Sequence, residues 1–219
     1  GFLGSYIVKA LIKENCRKIS VLCRSASPES VPDGVELIKG DIRDIECLQR
    51  AFKDRTIVFH VAAKAGIWGT KRDFFDININ GTKNVTTACL NQNVPALVYT
   101  SSPSVVIPPS NIKNVSENIP YLKKYLAWYP ETKAIAEQLV LSVNSKSLAT
   151  VSLRPHLIWG PGDPHILPRV VEKARKGKLF RVGNGKNIVD LTFVENAAIA
   201  HLLAAFDLRN SQRSSGKPY

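Results

Sequence analysis

Gly1-Phe2-Leu3-Gly4-Ser5-Tyr6-Ile7-Val8 is the stretch on which the fold turns, because two glycines lead without interruption into a helical pattern. Leu3, Ile7, Val8, Leu11 and Ile12 recur at the spacing of one helix face. A β-branched run follows at 19–23, and the alternation then continues along the chain. Strands are predicted over 19–23, 35–38, 56–61, 96–101 and 149–154. Helices are predicted over 4–14, 45–52, 73–91, 130–144, 167–176 and 196–206. Strands that alternate with helices of this length describe an α/β protein with a doubly wound parallel sheet.

In a Rossmann unit, glycines of this kind follow the first strand. The first strand and the first glycine of that turn are therefore expected to be missing here, and Gly216-Lys217-Pro218-Tyr219 stops where a further strand would begin. The expected organisation is an N-terminally truncated dinucleotide-binding domain over 1–160. A partial substrate-binding region follows over 161–219, interleaved with that core and truncated at its C-terminus. The Pro- and Ser-rich piece 103–119 reads as a surface loop near the mouth of a site.

The 219 residues have ordinary apolar and charged fractions, and no apolar stretch is long enough to span a bilayer. Thirty basic residues against eighteen acidic ones give a net charge of +12. The cations are scattered rather than gathered in an aromatic-interleaved stripe, which argues against nucleic acid and fits a phosphate-rich cofactor with an anionic substrate. Cys16, Cys23, Cys47 and Cys89 lie far apart, so reduced, buried thiols are expected and not a zinc site or a disulfide framework. His60, His156, His165 and His201 have no paired ligand spacing, so no metal is expected. Lys9 and Lys13 interrupt the apolar start, which does not read as a signal peptide, and a cytoplasmic location follows as the expectation.

Tyr129-Pro130-Glu131-Thr132-Lys133 heads the helix expected over 130–144. One turn separates phenol from ammonium, so both are expected to face one ligand. A free phenol has a pKa of about 10, and a lysine charge beside it favours the phenolate, which suits acid–base work on a carbonyl. Ile135, Ala136, Leu139 and Val140 give the helix an apolar face with which to sit on the sheet.

The cofactor signals fall at the carboxyl ends of the strands, where ligands of open α/β sheets bind. Gly1 and Gly4 let the backbone approach a pyrophosphate at a helix N-terminus. After the strand at 19–23 comes Cys23-Arg24-Ser25 instead of an acidic residue. Arg24 suits the extra phosphate of NADP, although an arginine there is as readily a solvent-facing side chain. Asp41 could accept from an adenine amino group, Ile42 beside it belongs to the same expected site, and Ala62 and Ala63 are small enough for a cofactor to pass closely.

Gly40-Asp41-Ile42-Arg43-Asp44, His60-Val61-Ala62-Ala63, Asn80-Gly81-Thr82, Tyr99-Thr100-Ser101-Ser102, the Tyr129/Lys133 pair and Leu153-Arg154-Pro155 stand in order over nearly the whole chain. In this they resemble the extended short-chain dehydrogenase/reductases. Arg154-Pro155-His156, Gly160-Pro161-Gly162-Asp163-Pro164 and Gly183-Asn184-Gly185-Lys186-Asn187 resemble the 3β-hydroxysteroid dehydrogenase branch.

That resemblance implies a catalytic set of Tyr129, Lys133 and Ser102, with Tyr129 as proton donor, Lys133 on the nicotinamide ribose and Ser102 on the substrate oxygen. Ser101 and Ser104 are neighbours that could act in the place of Ser102, since one residue of register decides which faces the site. Pro155 to Leu157 would place backbone by the carboxamide, and Asn78 would support the cofactor or a proton relay. The implied cofactor is NADP(H), with NAD(H) as the alternative, and a homodimer is implied as well.

The implied reaction is reduction of a keto group on a hydrophobic substrate, a 2-alkyl-3-oxoalkanoate, to the 3-hydroxy acid. Oxidation of a 3β-hydroxysterol or sterol-4-carboxylate, sugar-nucleotide epimerisation or dehydration, and dinucleotide sensing without catalysis are the alternatives. Trp68, Phe74, Phe75, Trp128 and Trp159 are candidates for an apolar mouth, though each is as readily core. His156, Arg169 and Lys64 are candidates to meet a carboxylate.

Overall fold

The computed structural model describes every residue except Ile67, Pro109, Asn111, His165 and Val182. In chain order the helices are α1 (Phe2–Lys13), α2 (Ile45–Phe52), α3 (Lys71–Phe74), α4 (Gly81–Asn91), α5 (Trp128–Ser142), α6 (Ile166–Arg175) and α7 (Val194–Arg209). The strands are β1 (Ser20–Cys23), β2 (Glu36–Lys39), β3 (Val58–His60), β4 (Ala96–Thr100), β5 (Ala149–Leu153), β6 (Ile158–Trp159), β7 (Thr192–Phe193) and β8 (Lys217–Pro218). Every pairing between them is parallel. The order β3-β4-β5-β8 makes the main sheet, while β1-β2 and β6-β7 form separate pairs.

Burial on both faces explains why β4 reads as a near-continuous apolar run, while β5 is buried throughout and carries Thr150 and Ser152 between its apolar residues. Leu97 and Tyr99 point from β4 into a core shared with Leu48, Val85, Ala136 and Val140 of α2, α4 and α5. Ala96 and Val98 point the other way, onto Ala204, Ala205 and Leu208 of α7. Val194, Ala197 and Ala198 of α7 also pack on Leu3 and Ile7 of α1. Residues 194–218 thus cover and extend the main sheet, whereas α6 has no buried residue.

The helix expected over 73–91 is not uniform. Between α3 and α4 the chain widens into a π-helical segment, Phe75–Asn80, which carries the buried Asn78. Gly81 then starts α4 where a Cβ would stand 2.6 Å from Ile42 Cδ1, so glycine permits this close approach to the loop after β2. The stretch 103–119 is only partly the surface loop that its composition suggests. It opens with a 3-10 turn, Pro103–Val105, and Val105 and Val106 are buried against Ala134 of α5. The expectation of buried thiols holds for Cys47 and Cys89 but not for Cys16, which is exposed, or Cys23, which is half-buried.

Candidate active site

Tyr129 lies in the first turn of α5, and Ser102 follows the end of β4. Both side chains line a cleft of about 460 Å³. The turn after β4 brings Ser102 and Ser104 to the cleft and turns Ser101 away from it. The Ser102 hydroxyl accepts from the Ser104 amide (3.3 Å) and meets the Ser104 hydroxyl (2.9 Å), which fixes it at the head of the 3-10 turn. Ser101 points instead into the core, where its hydroxyl is buried without a partner among the described residues. Burial raises the pKa of the Tyr129 phenol, and the Ser102 hydroxyl works against that rise.

Lys133 departs from the arrangement expected from spacing alone. It is 2% exposed, and its ammonium donates to the Thr100 carbonyl at 2.6 Å beneath the cleft, 4.1 Å from the centre of the Tyr99 ring. An ammonium taken from water seeks the nearest oxygen, and here that oxygen belongs to the strand end. Burial pulls Lys133 down to about 7, while the carboxylate of Glu137 holds it up. The phenol therefore faces the cleft while the ammonium sits under it, and the expected depression of the tyrosine pKa by the lysine charge is not found.

The floor beside this pair is held by Asn78. Its Oδ1 accepts from the Lys64 amide at 2.7 Å, and its Nδ2 donates to the Lys64 carbonyl at 3.1 Å and to the Thr132 hydroxyl at 3.0 Å. One side chain thus joins the loop after β3, the π-helical segment and α5. The Thr82 hydroxyl donates to the Asn78 carbonyl at 2.6 Å, so it must accept from His60 Nε2 at 2.9 Å. His60 is accordingly the neutral Nε2–H tautomer, and burial pushes it down to about 3.

The other candidates gather at the carboxyl ends of the strands. Gly1 caps α1 and Gly4 lies in its first turn, and a Cβ built on either would meet nothing within 4 Å. Ala62 and Ala63 are exposed after β3, and Ile42 is half-buried after β2. Arg24, 66% exposed, reaches toward Asp41 at 3.8 Å, while Arg43 holds Asp41 at 2.8 Å. The Arg43 hydrogen bond keeps the Asp41 carboxyl below its usual range. The free amides at the N-terminus of α1 fit a dinucleotide phosphate. Pro155 is half-buried, and Leu157 enters the cleft wall with a left-handed φ of 32°. Backbone strain of this kind collects at functional sites.

The expected aromatic lining is corrected. Phe74 is fully buried, Trp159 packs edge-on against Phe193 at 5.3 Å, and none of the five aromatics lines the cleft. Its apolar wall comes from Ile107, Leu122, Tyr125 and Leu126, loop residues whose spacing has no period to betray them. His156 and Lys124 also line it, whereas Lys64 turns toward Asp73 at 4.0 Å and Arg169 stands exposed on α6. His165 lies outside the described residues.

A parallel sheet with a glycine-capped helix, a serine at a strand end and a Tyr/Lys helix beside it defines an extended short-chain dehydrogenase/reductase. Within that class the chain belongs to the 3-beta hydroxysteroid dehydrogenase/isomerase family, whose model matches residues 1–219. It is similar to the 2-alkyl-3-oxoalkanoate reductases of Shewanella oneidensis (41% identity, 100% of this chain and 58% of that one) and Stenotrophomonas maltophilia (43%, 100% and 67%). The bovine decarboxylating sterol-4-alpha-carboxylate 3-dehydrogenase is 38% identical, over 100% of this chain and 62% of its own. The chain thus spans roughly three fifths to two thirds of the length of these relatives. Among solved structures, the UDP-glucose 4-epimerase of Thermus thermophilus in complex with NAD matches with a TM-score of 0.80 at 30% identity, over 100% of this chain and 74% of that one. Among the described residues no helix is long and apolar enough to cross a membrane.

Proposed function

We propose that this chain carries the catalytic half of an NADPH-dependent reductase that converts a 2-alkyl-3-oxoalkanoate to the 3-hydroxy acid. The observation that carries the reading is the Tyr129–Ser102 pair at the wall of an apolar cleft. When bound, the dinucleotide supplies the hydride. Tyr129 gives its phenolic proton to the substrate's 3-keto oxygen, and Ser102 holds that oxygen by a second hydrogen bond. Lys133 returns positive charge to the region under the phenol, and Gly1, Gly4, Asp41, Ile42, Ala62, Ala63, Pro155 and Leu157 border the dinucleotide.

Three features support the substrate and cofactor. The two bacterial relatives are 2-alkyl-3-oxoalkanoate reductases, which supports the reaction. Lys124 and His156 line the cleft, and no carboxylate among the described residues lines it, which suits a substrate carboxylate beside an apolar chain. Arg24 is exposed just beyond β1, and its guanidinium suits a ribose phosphate. A second reading, dehydrogenation of a sterol-4-carboxylate, is favoured by the bovine relative and by the same cations.

The test is steady-state oxidation of NADPH and NADH by the full-length protein, offered a 2-alkyl-3-keto acid. NADPH-linked turnover is expected. Its absence, together with NAD-linked oxidation of a 3β-hydroxysterol-4-carboxylate, would move the assignment to the second reading.

A further inference from the structure

Two turns beyond Tyr129 and one beyond Lys133, α5 buries a carboxylate. Glu137 is 0% exposed, and its charge is met by Arg154, whose side chain is 6% exposed. Arg154 Nη2 reaches Glu137 Oε1 at 2.5 Å, and its Nε lies 3.1 Å from both oxygens. The Tyr121 hydroxyl donates to Oε1 at 2.6 Å and the Ser152 hydroxyl to Oε2 at 2.8 Å. Arg154 in turn donates from Nη1 to the Glu117 carbonyl at 3.1 Å and lies 5.7 Å from the centre of the Tyr121 ring. Each charge is thus fully engaged, the condition under which a buried pair is tolerated.

Stability alone is a weak reason for such a pair, since apolar residues of similar volume commonly serve as well. Its connections suggest another reason. Glu137 belongs to the helix that carries Tyr129 and Lys133, and Arg154 immediately precedes Pro155 and the cleft residues His156 and Leu157. Tyr121 and Glu117 belong to the segment that supplies Leu122, Tyr125 and Leu126 to the opposite wall. Elsewhere this segment is held by the hydrogen bond from the Tyr125 hydroxyl to the Val105 carbonyl, at 2.8 Å.

We propose that Glu137 is a positioning residue for the reaction. Through Arg154 and Tyr121 it sets the distance between the proton-donating helix and the segment 117–126, and so the width of the cleft that receives the substrate chain. The proposal rests on the reductase reading for its kinetic consequence but not for its structural one.

The experiment compares wild type, Tyr121→Phe and Arg154→Lys in the full-length protein. It uses keto acid and NADPH kinetics together with amide hydrogen exchange over 117–126. Tyr121→Phe removes one hydroxyl and leaves the ion pair; Arg154→Lys keeps the charge but loses the fork that reaches Glu117. Both are expected to raise KM for the keto acid about tenfold, the scale of one hydrogen bond to a charged group, with kcat and the KM for NADPH within about twofold of wild type. Exchange over 117–126 should quicken, while β4 and β5 stay protected. Unchanged exchange over 117–126 in both variants would overturn the proposal whether or not the keto acid is the substrate. Equal losses in kcat and thermal stability without a change in KM would reduce the network to a structural one and overturn it as well. If wild type fails to turn over the keto acid, the reductase reading falls, and the exchange result alone decides the strut.

Discussion

Lys133 shows how far burial can redirect a side chain whose position in the sequence is plain. The Tyr129/Lys133 spacing places both groups on one face of α5, but spacing does not show that a carbonyl at the end of β4 lies nearer to the ammonium than the phenol's partner does. The preference for Ser102 rests on family pattern, because one residue of strand register decides which serine faces the site, and the turn geometry removes only Ser101 from the cleft. Two outcomes belong at this scale. His60 titrates at about 3 in the fold against about 6.5 unfolded, so below pH 6.5 the unfolded chain takes up a proton that the folded one refuses. Stability is therefore lost as pH falls through this window, by up to about 1.4 kcal/mol per pH unit from this group. Urea melts between pH 4 and 7 should show a shallower dependence in His60→Gln than in wild type. For Arg24→Ala, the expected result is a KM for NADPH raised about tenfold or more, with the KM for NADH unchanged, measured in the full-length protein.

At the scale of elements, periodicity located what burial patterns dictate. The expected helix over 45–52 coincides with α2, and the five predicted strands match β1 to β5 to within a few residues at their ends. What periodicity could not show is the change of pitch at Phe75–Asn80, since a π-helical segment is defined by its backbone hydrogen bonds and not by residue spacing. The cleft wall at 117–126 was equally hidden, because loop residues are placed by tertiary contacts and not by a repeat. Asn78 gives the π-helical segment its consequence. Asn78→Ala would leave the Lys64 amide and carbonyl without their side-chain partner, at a cost of about 1–3 kcal/mol. The expected outcome is a Tm lowered by several degrees together with a weaker affinity for the dinucleotide, read by calorimetry and by cofactor fluorescence. An unchanged affinity would separate the clamp from the cofactor floor.

Over the whole molecule, the β1-β2 pair and the β3-β4-β5-β8 sheet share no hydrogen-bonded strand among the described residues, and packing joins them: Leu22 of β1 and Ile38 of β2 lie against the core that α2, α4 and α5 share with Leu97 and Tyr99 of β4. The candidate groups gather at strand ends and at one helix N-terminus: the α1 N-terminus, Arg24 beyond β1, Ala62 and Ala63 beyond β3, and Ser102 beyond β4. That convergence was readable from the order of strands and motifs, whereas the substrate was not, because apolar clefts accept many chains. The account stands on Tyr129 as the proton donor of a carbonyl reduction. The most direct measurement is single-turnover NADPH oxidation by full-length wild type and Tyr129→Phe with a 2-alkyl-3-keto acid, with cofactor affinity measured alongside. The account predicts a loss of about 10²–10⁴-fold in the rate with cofactor affinity retained. A Tyr129→Phe enzyme that turns over within a few fold of wild type would contradict it.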